Sequence, residues 1–155
     1  MRRTEKEIKD KDIIEWILKE AQVCRIALCD NNKPYIVPMN FVFKDNYLYL
    51  HSANEGKKIA ILNRNRNICF EVDIKNELIT SENVCNYGMK YYSVIGSGKA
   101  KIIEDNNKKK KILDNIIQKY TENYHKSFKY PENTLKKTAV IKVELTELTG
   151  KKSGY

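Results

Sequence analysis

A chain of 155 residues, 41% of them hydrophobic and 32% charged, has the balance of a globular protein with one real core, so a single domain over residues 1–155 is expected. No apolar run approaches the roughly 20 residues a membrane helix needs, and no apolar segment follows the basic N-terminus, which excludes a signal peptide and points to the cytoplasm. The net charge of +9 comes from 29 Lys and Arg spread along the chain among 20 Asp and Glu, which favours small phosphorylated ligands over a nucleic-acid surface.

In chain order, Ile14, Ile17, Leu18 and Ala21 recur at helical spacing within a segment from about Asp10 to Val23. Asp10 or Asp12 supplies an N-cap there, and Thr4 with Glu7 offers an earlier capping box. The period then changes to that of a strand over Val23–Cys29, and Asp30-Asn31-Asn32 is a turn signal. Pro34 to Lys44 reads as one long strand, with Pro34 and Pro38 placing parts of it at an edge or a bulge. Asp45-Asn46 is a hairpin turn, because both residues tolerate positive φ.

Tyr47 to Ser52 is the next strand, with Tyr47, Tyr49 and His51 on one face and Leu48, Leu50 and Ser52 on the other. A short helix follows, with Ile59 and Leu62 facing inward, and then a strand over Asn67–Asp73. Residues 74–90 read as a connection containing some strand, and Tyr91–Glu104 as a long strand bent at Gly96 and Gly98. A second amphipathic helix spans about Asn106–Tyr120, with Lys108 to Lys111 on its solvated face. Residues 121–137 form a polar connection that includes an exposed His125, Thr138–Leu145 is a closing strand, and residues 150–155 form a tail. Six strands with peripheral helices describe a mainly β (α+β) protein built as a curled antiparallel sheet or small barrel.

The chemistry concentrates at His51-Ser-Ala-Asn-Glu-Gly-Lys-Lys58, where a strand hands over to a helix. Unpaired amides at a helix start, the positive end of its dipole and two lysines make a phosphate cradle. Spacing does not separate Lys57 from Lys58 as the better phosphate ligand. The four cysteines include no Cys-x-x-Cys pair, so buried free thiols are expected rather than disulfides or zinc, and no metal site is assigned. There is also no paired-carboxylate or Ser-His-Asp constellation.

Five segments together resemble the flavin-binding split-barrel proteins of the pyridoxamine 5′-phosphate oxidase-like family, and within it the 5-nitroimidazole-resistance group. They are Pro34-Tyr-Ile-Val-Pro-Met-Asn-Phe41, Leu48-Tyr-Leu-His-Ser-Ala53 with Gly56-Lys-Lys58, Cys69-Phe-Glu-Val72, Tyr91 to Ala100, and Thr149-Gly-Lys151. Each is weak alone; in family order and spacing they cover nearly the whole chain. The resemblance implies a six-stranded antiparallel split β-barrel and a homodimer with flavin mononucleotide (FMN) at the subunit interface. The phosphate cradle serves FAD equally well.

By the same resemblance, Val37, Pro38, Met39 and Asn40 lie along the flavin ring. His51, Ser52, Lys57 and Lys58 hold the phosphate end, and Tyr92 and Ser93 reach across from the neighbouring subunit. His51, a position where the nitroimidazole-resistance group has histidine, is the candidate for contacting ring or substrate. It is also the candidate axial ligand in an alternative reading as a non-catalytic flavin or haem binder. Lys151 is a weaker candidate for a phosphate or substrate contact. The implied activity is reduction of a small, electron-poor substrate such as a nitro-aromatic. Pyridoxamine phosphate oxidation is disfavoured, because beyond Arg25 the only arginines are Arg64 and Arg66 and the tail carries lysines.

Overall fold

Alternating apolar residues form antiparallel strands throughout the computed structural model, which describes residues 2–121 and 128–155. The strands are β1 (Glu7–Ile8), β2 (Cys24–Asp30), β3 (Lys33–Met39), β4 (Phe41–Lys44), β5 (Tyr47–Ala53), β6 (Asn67–Ile79), β7 (Gly88–Ile103) and β8 (Thr138–Ser153). The helices are α1 (Lys11–Glu20), α2 (Lys57–Arg64), α3 (Asn106–Tyr120) and α4 (Glu132–Lys137). Among the described residues eight strands stand where six are expected, for two reasons. The short β1 pairs with the end of β8, Glu7 opposite Lys151, in place of a capping box at Thr4. The strand expected over residues 34–44 breaks at Asn40 into β3 and β4.

The hydrogen-bonded order is β3-β2-β6-β7-β8-β5-β4, with β1 beside β8. The two end strands are consecutive in sequence and joined by one residue, so the sheet must curl until its edges meet at Asn40. The edges meet without pairing, and the result is a split barrel. Its interior takes one face of every long strand, including Ile26, Phe70, Val72, Val94, Ile141 and Leu50, and it is completed by Ile17 and Leu18 of α1 and Ile61 and Leu62 of α2. A second cluster of Leu113, Leu135 and Val140 seats α3 and α4 on the outside of β8.

Local chemistry sets the turns and bends. Asn31, Asn32, Asp45 and Asn46 all take positive φ, as expected of short polar side chains in tight hairpins. The β7–β8 register shifts between Ser97 and Gly98, and a Cβ on Gly98 would collide with the carbonyl oxygen of Glu144. Asp10 and Asp105 cap α1 and α3 through bonds from the amides of Asp12 and Lys108. Three strands are longer than the sequence predicts. β6 runs on to Ile79, β7 starts at Gly88, and the tail through Ser153 belongs to β8.

The cysteine expectation needs correction. Only Cys24 is buried; Cys29, Cys69 and Cys85 are exposed free thiols. Cys24 shares the inward face of β2 with Ile26 and Leu28, whereas Cys29 falls on the opposite parity. His125 lies outside the described residues.

Candidate cofactor site

The β5–α2 junction is built by one short loop. Gly56 sits just before α2 with φ of +103°, a conformation that L side chains rarely adopt, and provides no side-chain cap. The first intrahelical bond runs from Ala60 N–H to the Gly56 carbonyl, so the amides of Lys57, Lys58 and Ile59 lack an intrahelical acceptor. A Cβ placed on Gly56 would touch nothing within 4 Å, so the space beside this glycine is open. An anion fits this corner by dipole, hydrogen bonding and charge together.

The structure distinguishes the two lysines. Lys57 is exposed and leans its ammonium over the ring of Tyr35, 4.6 Å from the centroid. Lys58 is half-buried, and its stem lines a small internal hollow with Met39, Leu50 and Leu62. Burial lowers the proton affinity of Lys58. It does the same to His51, and the neighbouring Lys58 charge adds to the effect. Ser52 turns its hydroxyl onto the Ala53 carbonyl at 2.8 Å.

Asn40 connects this junction to β3. Phe41 pairs with Leu50, so the register continued one step sets Asn40 opposite His51. Asn40 is exposed and belongs to neither ladder, Val37 is half-buried, and Pro38 faces outward opposite Arg25. The Met39 side chain is only 7% exposed and packs in the core, so what it offers at the surface is backbone.

Tyr92 and Ser93 stand apart from this group within one chain. Tyr92 packs on Trp16 edge-on at 5.4 Å and stacks on Tyr155 at 4.6 Å. Ser93 is on the other face of β7, between Asp73 and Lys151. Lys151 lies with its ammonium 5.3 Å from the centre of the Tyr91 ring.

Two residues escaped the sequence reading. Tyr35 shares the face of Val37 and Met39 on β3, a parity visible in the sequence, but its partner Lys57 is brought to it only by the fold. Tyr120 bonds to Phe41 at the start of β4 and to Gln22 just before β2, and no local pattern announces it. Among the described residues no group of His, Cys, Asp and Glu could hold a metal ion, and no helix is long and apolar enough to cross a membrane.

With this geometry in view, the comparison with known proteins is decisive for the family. The sequence profile described as pyridoxamine 5′-phosphate oxidase matches residues 10–152. The chain belongs to that family. Its fold matches the crystal structure of a proposed 5-nitroimidazole antibiotic resistance protein from Bacteroides thetaiotaomicron with a TM-score of 0.82. Identity there is 37%, over 94% of this chain and 85% of that one. The flavocytochrome Anf3 from Azotobacter vinelandii gives a TM-score of 0.88 at 20% identity, covering 100% of this chain and 72% of that one. An FAD and haem binding protein from Mycobacterium smegmatis gives 0.88 at 14% identity, covering 97% and 74%. These last two share the family's fold. No curated protein sequence matches the chain.

Proposed function

We propose that the chain is one subunit of a homodimeric flavoprotein oxidoreductase that holds FMN at the β5–α2 junction and reduces a small, flat, electron-poor substrate such as a nitroimidazole. One observation carries the reading. Helix-start amides without an intrahelical acceptor, Lys57 and Lys58 follow directly on the strand end that carries His51, in a family member 37% identical to a proposed nitroimidazole resistance protein. A single domain over residues 1–155 and a cytoplasmic location belong to the same proposal.

A bound flavin supplies the redox chemistry, and the protein binds, orients and shields it. Lys57, Lys58 and the helix-start amides neutralise the phosphate, with FAD served by the same corner. The Val37–Asn40 backbone lines the ring edge, Ser52 belongs to the phosphate end, and His51 offers a hydrogen bond to ring or substrate. Tyr92 and Ser93 contribute from the second subunit.

The outer face of β3-β2-β6-β7 supports the dimer. Ile36 and Ile95 on this face are 64% and 50% exposed, and exposed Pro38 follows Ile36 along β3. Pro38 and Ile95 are three strand spacings apart, about 14 Å, with the Arg25–Glu71 ion pair between them, so a mixed face with apolar borders is broad enough to seat a second copy.

The test is anaerobic. Protein loaded with FMN is reduced with dithionite, and a nitroimidazole is added while the flavin spectrum is followed. Reoxidation by the nitro compound supports the reading, and a flavin that stays reduced rejects it. If the purified protein instead shows a Soret band that is lost in His51→Ala, the haem alternative takes its place.

A further inference from the structure

The last turn of α3 reaches across to the split in the barrel. The Tyr120 hydroxyl accepts a hydrogen bond from the Phe41 amide at 2.9 Å and donates to the Gln22 carbonyl at 2.7 Å, with the Phe41 carbonyl at 3.2 Å. Gln22 lies just before β2, and Phe41 opens β4. The final β2–β3 pair, Cys24 opposite Met39, falls between these two anchor points. One hydroxyl thus ties together the two strand starts that flank Asn40, the residue that neither ladder holds. The preceding residue makes a different contact: the Lys119 ammonium sits 3.5 Å from the centre of the Phe41 ring and donates to the Leu18 carbonyl at 3.2 Å.

We propose that Tyr120 is the positioning residue for the Met39–Asn40–Phe41 crossing, setting the backbone that faces the flavin ring without touching the flavin itself. The inference rests on the flavin reading above. The physical reason is that a single-residue link between two differently directed ladders has no regular hydrogen bonds to hold it. A hydroxyl that both accepts and donates fixes the Phe41 amide and, through Gln22, the strand beside it. Fixing a backbone edge beforehand avoids the ordering cost at binding.

Tyr120→Phe keeps the ring and deletes the hydroxyl. Loss of this hydrogen-bonding group is expected to weaken FMN binding about tenfold and to change the visible circular dichroism of the bound flavin. It should also accelerate amide exchange at Phe41 about tenfold. Lys119→Met, on the same helical turn, is expected to move the thermal midpoint while leaving the flavin dichroism and Phe41 exchange unchanged. FMN affinity within twofold of wild type, with unaltered dichroism and exchange, would overturn the positioning role. So would equal flavin effects in both variants, since that would mean general loosening of α3. A wild-type chain that takes up no flavin would bring down the functional reading alone. Phe41 exchange in Tyr120→Phe would still decide whether the hydroxyl holds the crossing.

Discussion

Lys58→Met tests the cradle most sharply because the two ends of this side chain do different things. Its stem is packed with Met39, Leu50 and Leu62, and its ammonium is close enough to bias His51. Methionine keeps an unbranched apolar stem of similar length, so the core contacts survive. Burial disfavours the Lys58 charge, so removing it leaves the thermal midpoint unchanged or raises it. Binding moves the other way. A lost charge-assisted contact to phosphate is worth about 1.5–3 kcal/mol, which weakens FMN about 10- to 150-fold.

The same substitution has a pH signature. His51 titrates below the ordinary histidine value of about 6.5, chiefly through burial and secondarily through Lys58. The folded state therefore binds fewer protons than the unfolded chain under acid conditions. The stability this represents is present above the ordinary histidine pKa and is lost as pH falls through the depressed one. In Lys58→Met the His51 pKa should rise, remaining below its ordinary value because burial persists, and the acid loss of stability should shrink. The assays are fluorescence titration with FMN and imidazole proton resonances followed against pH. An unmoved His51 titration together with unchanged FMN affinity would refute both the placement of the ammonium and its role.

Three further outcomes follow from the same geometry. Gly98→Ala drives a methyl onto the Glu144 carbonyl and costs about 3 kcal/mol or more, read as a fall in the denaturant midpoint; wild-type stability would contradict the bulge packing. Replacing both Ile36 and Ile95 by lysine on the open outer face should convert a dimer into monomers that lose flavin, checked by sedimentation with absorbance detection. Burial pushes the Cys24 thiol up to about 12, so at mildly alkaline pH a thiol reagent should label the exposed cysteines first and Cys24 only on unfolding. Labelling of native Cys24 as fast as Cys85 would contradict its burial.

Much of this architecture is legible in the sequence where parity and turn chemistry act locally. The alternation in Tyr47–Ser52 assigns both faces of β5 correctly, and Asp45-Asn46 and Asp10 mark the hairpin and the first helix. The break at Asn40 is not legible, because Pro34–Lys44 is uniformly strand-like. What cuts it is the demand of two separate ladders, together with a hydroxyl 79 residues away. The extension of β6 through Lys75, Asn76 and Glu77 was hidden by their polarity, and the pairing with β7 that makes it a strand resumes only at Glu77 opposite Lys90. For the cysteines the signal was present, since parity within β2 already separates Cys24 from Cys29.

Among the site residues, the cluster around His51, Lys57 and Lys58 follows from a strand-to-helix handover that any reader of the sequence can see. The division of labour between the two lysines does not, because it depends on Tyr35 and on the hollow inside the barrel.

The proposed arrangement is a flavin bound by a pair of these chains. Its most direct test is one sedimentation run of the purified protein mixed with FMN, recorded at both protein and flavin wavelengths. A single dimeric boundary carrying a two-band flavin spectrum at one flavin per chain is expected. Flavin left behind at the meniscus, or carried by a monomer, would contradict it.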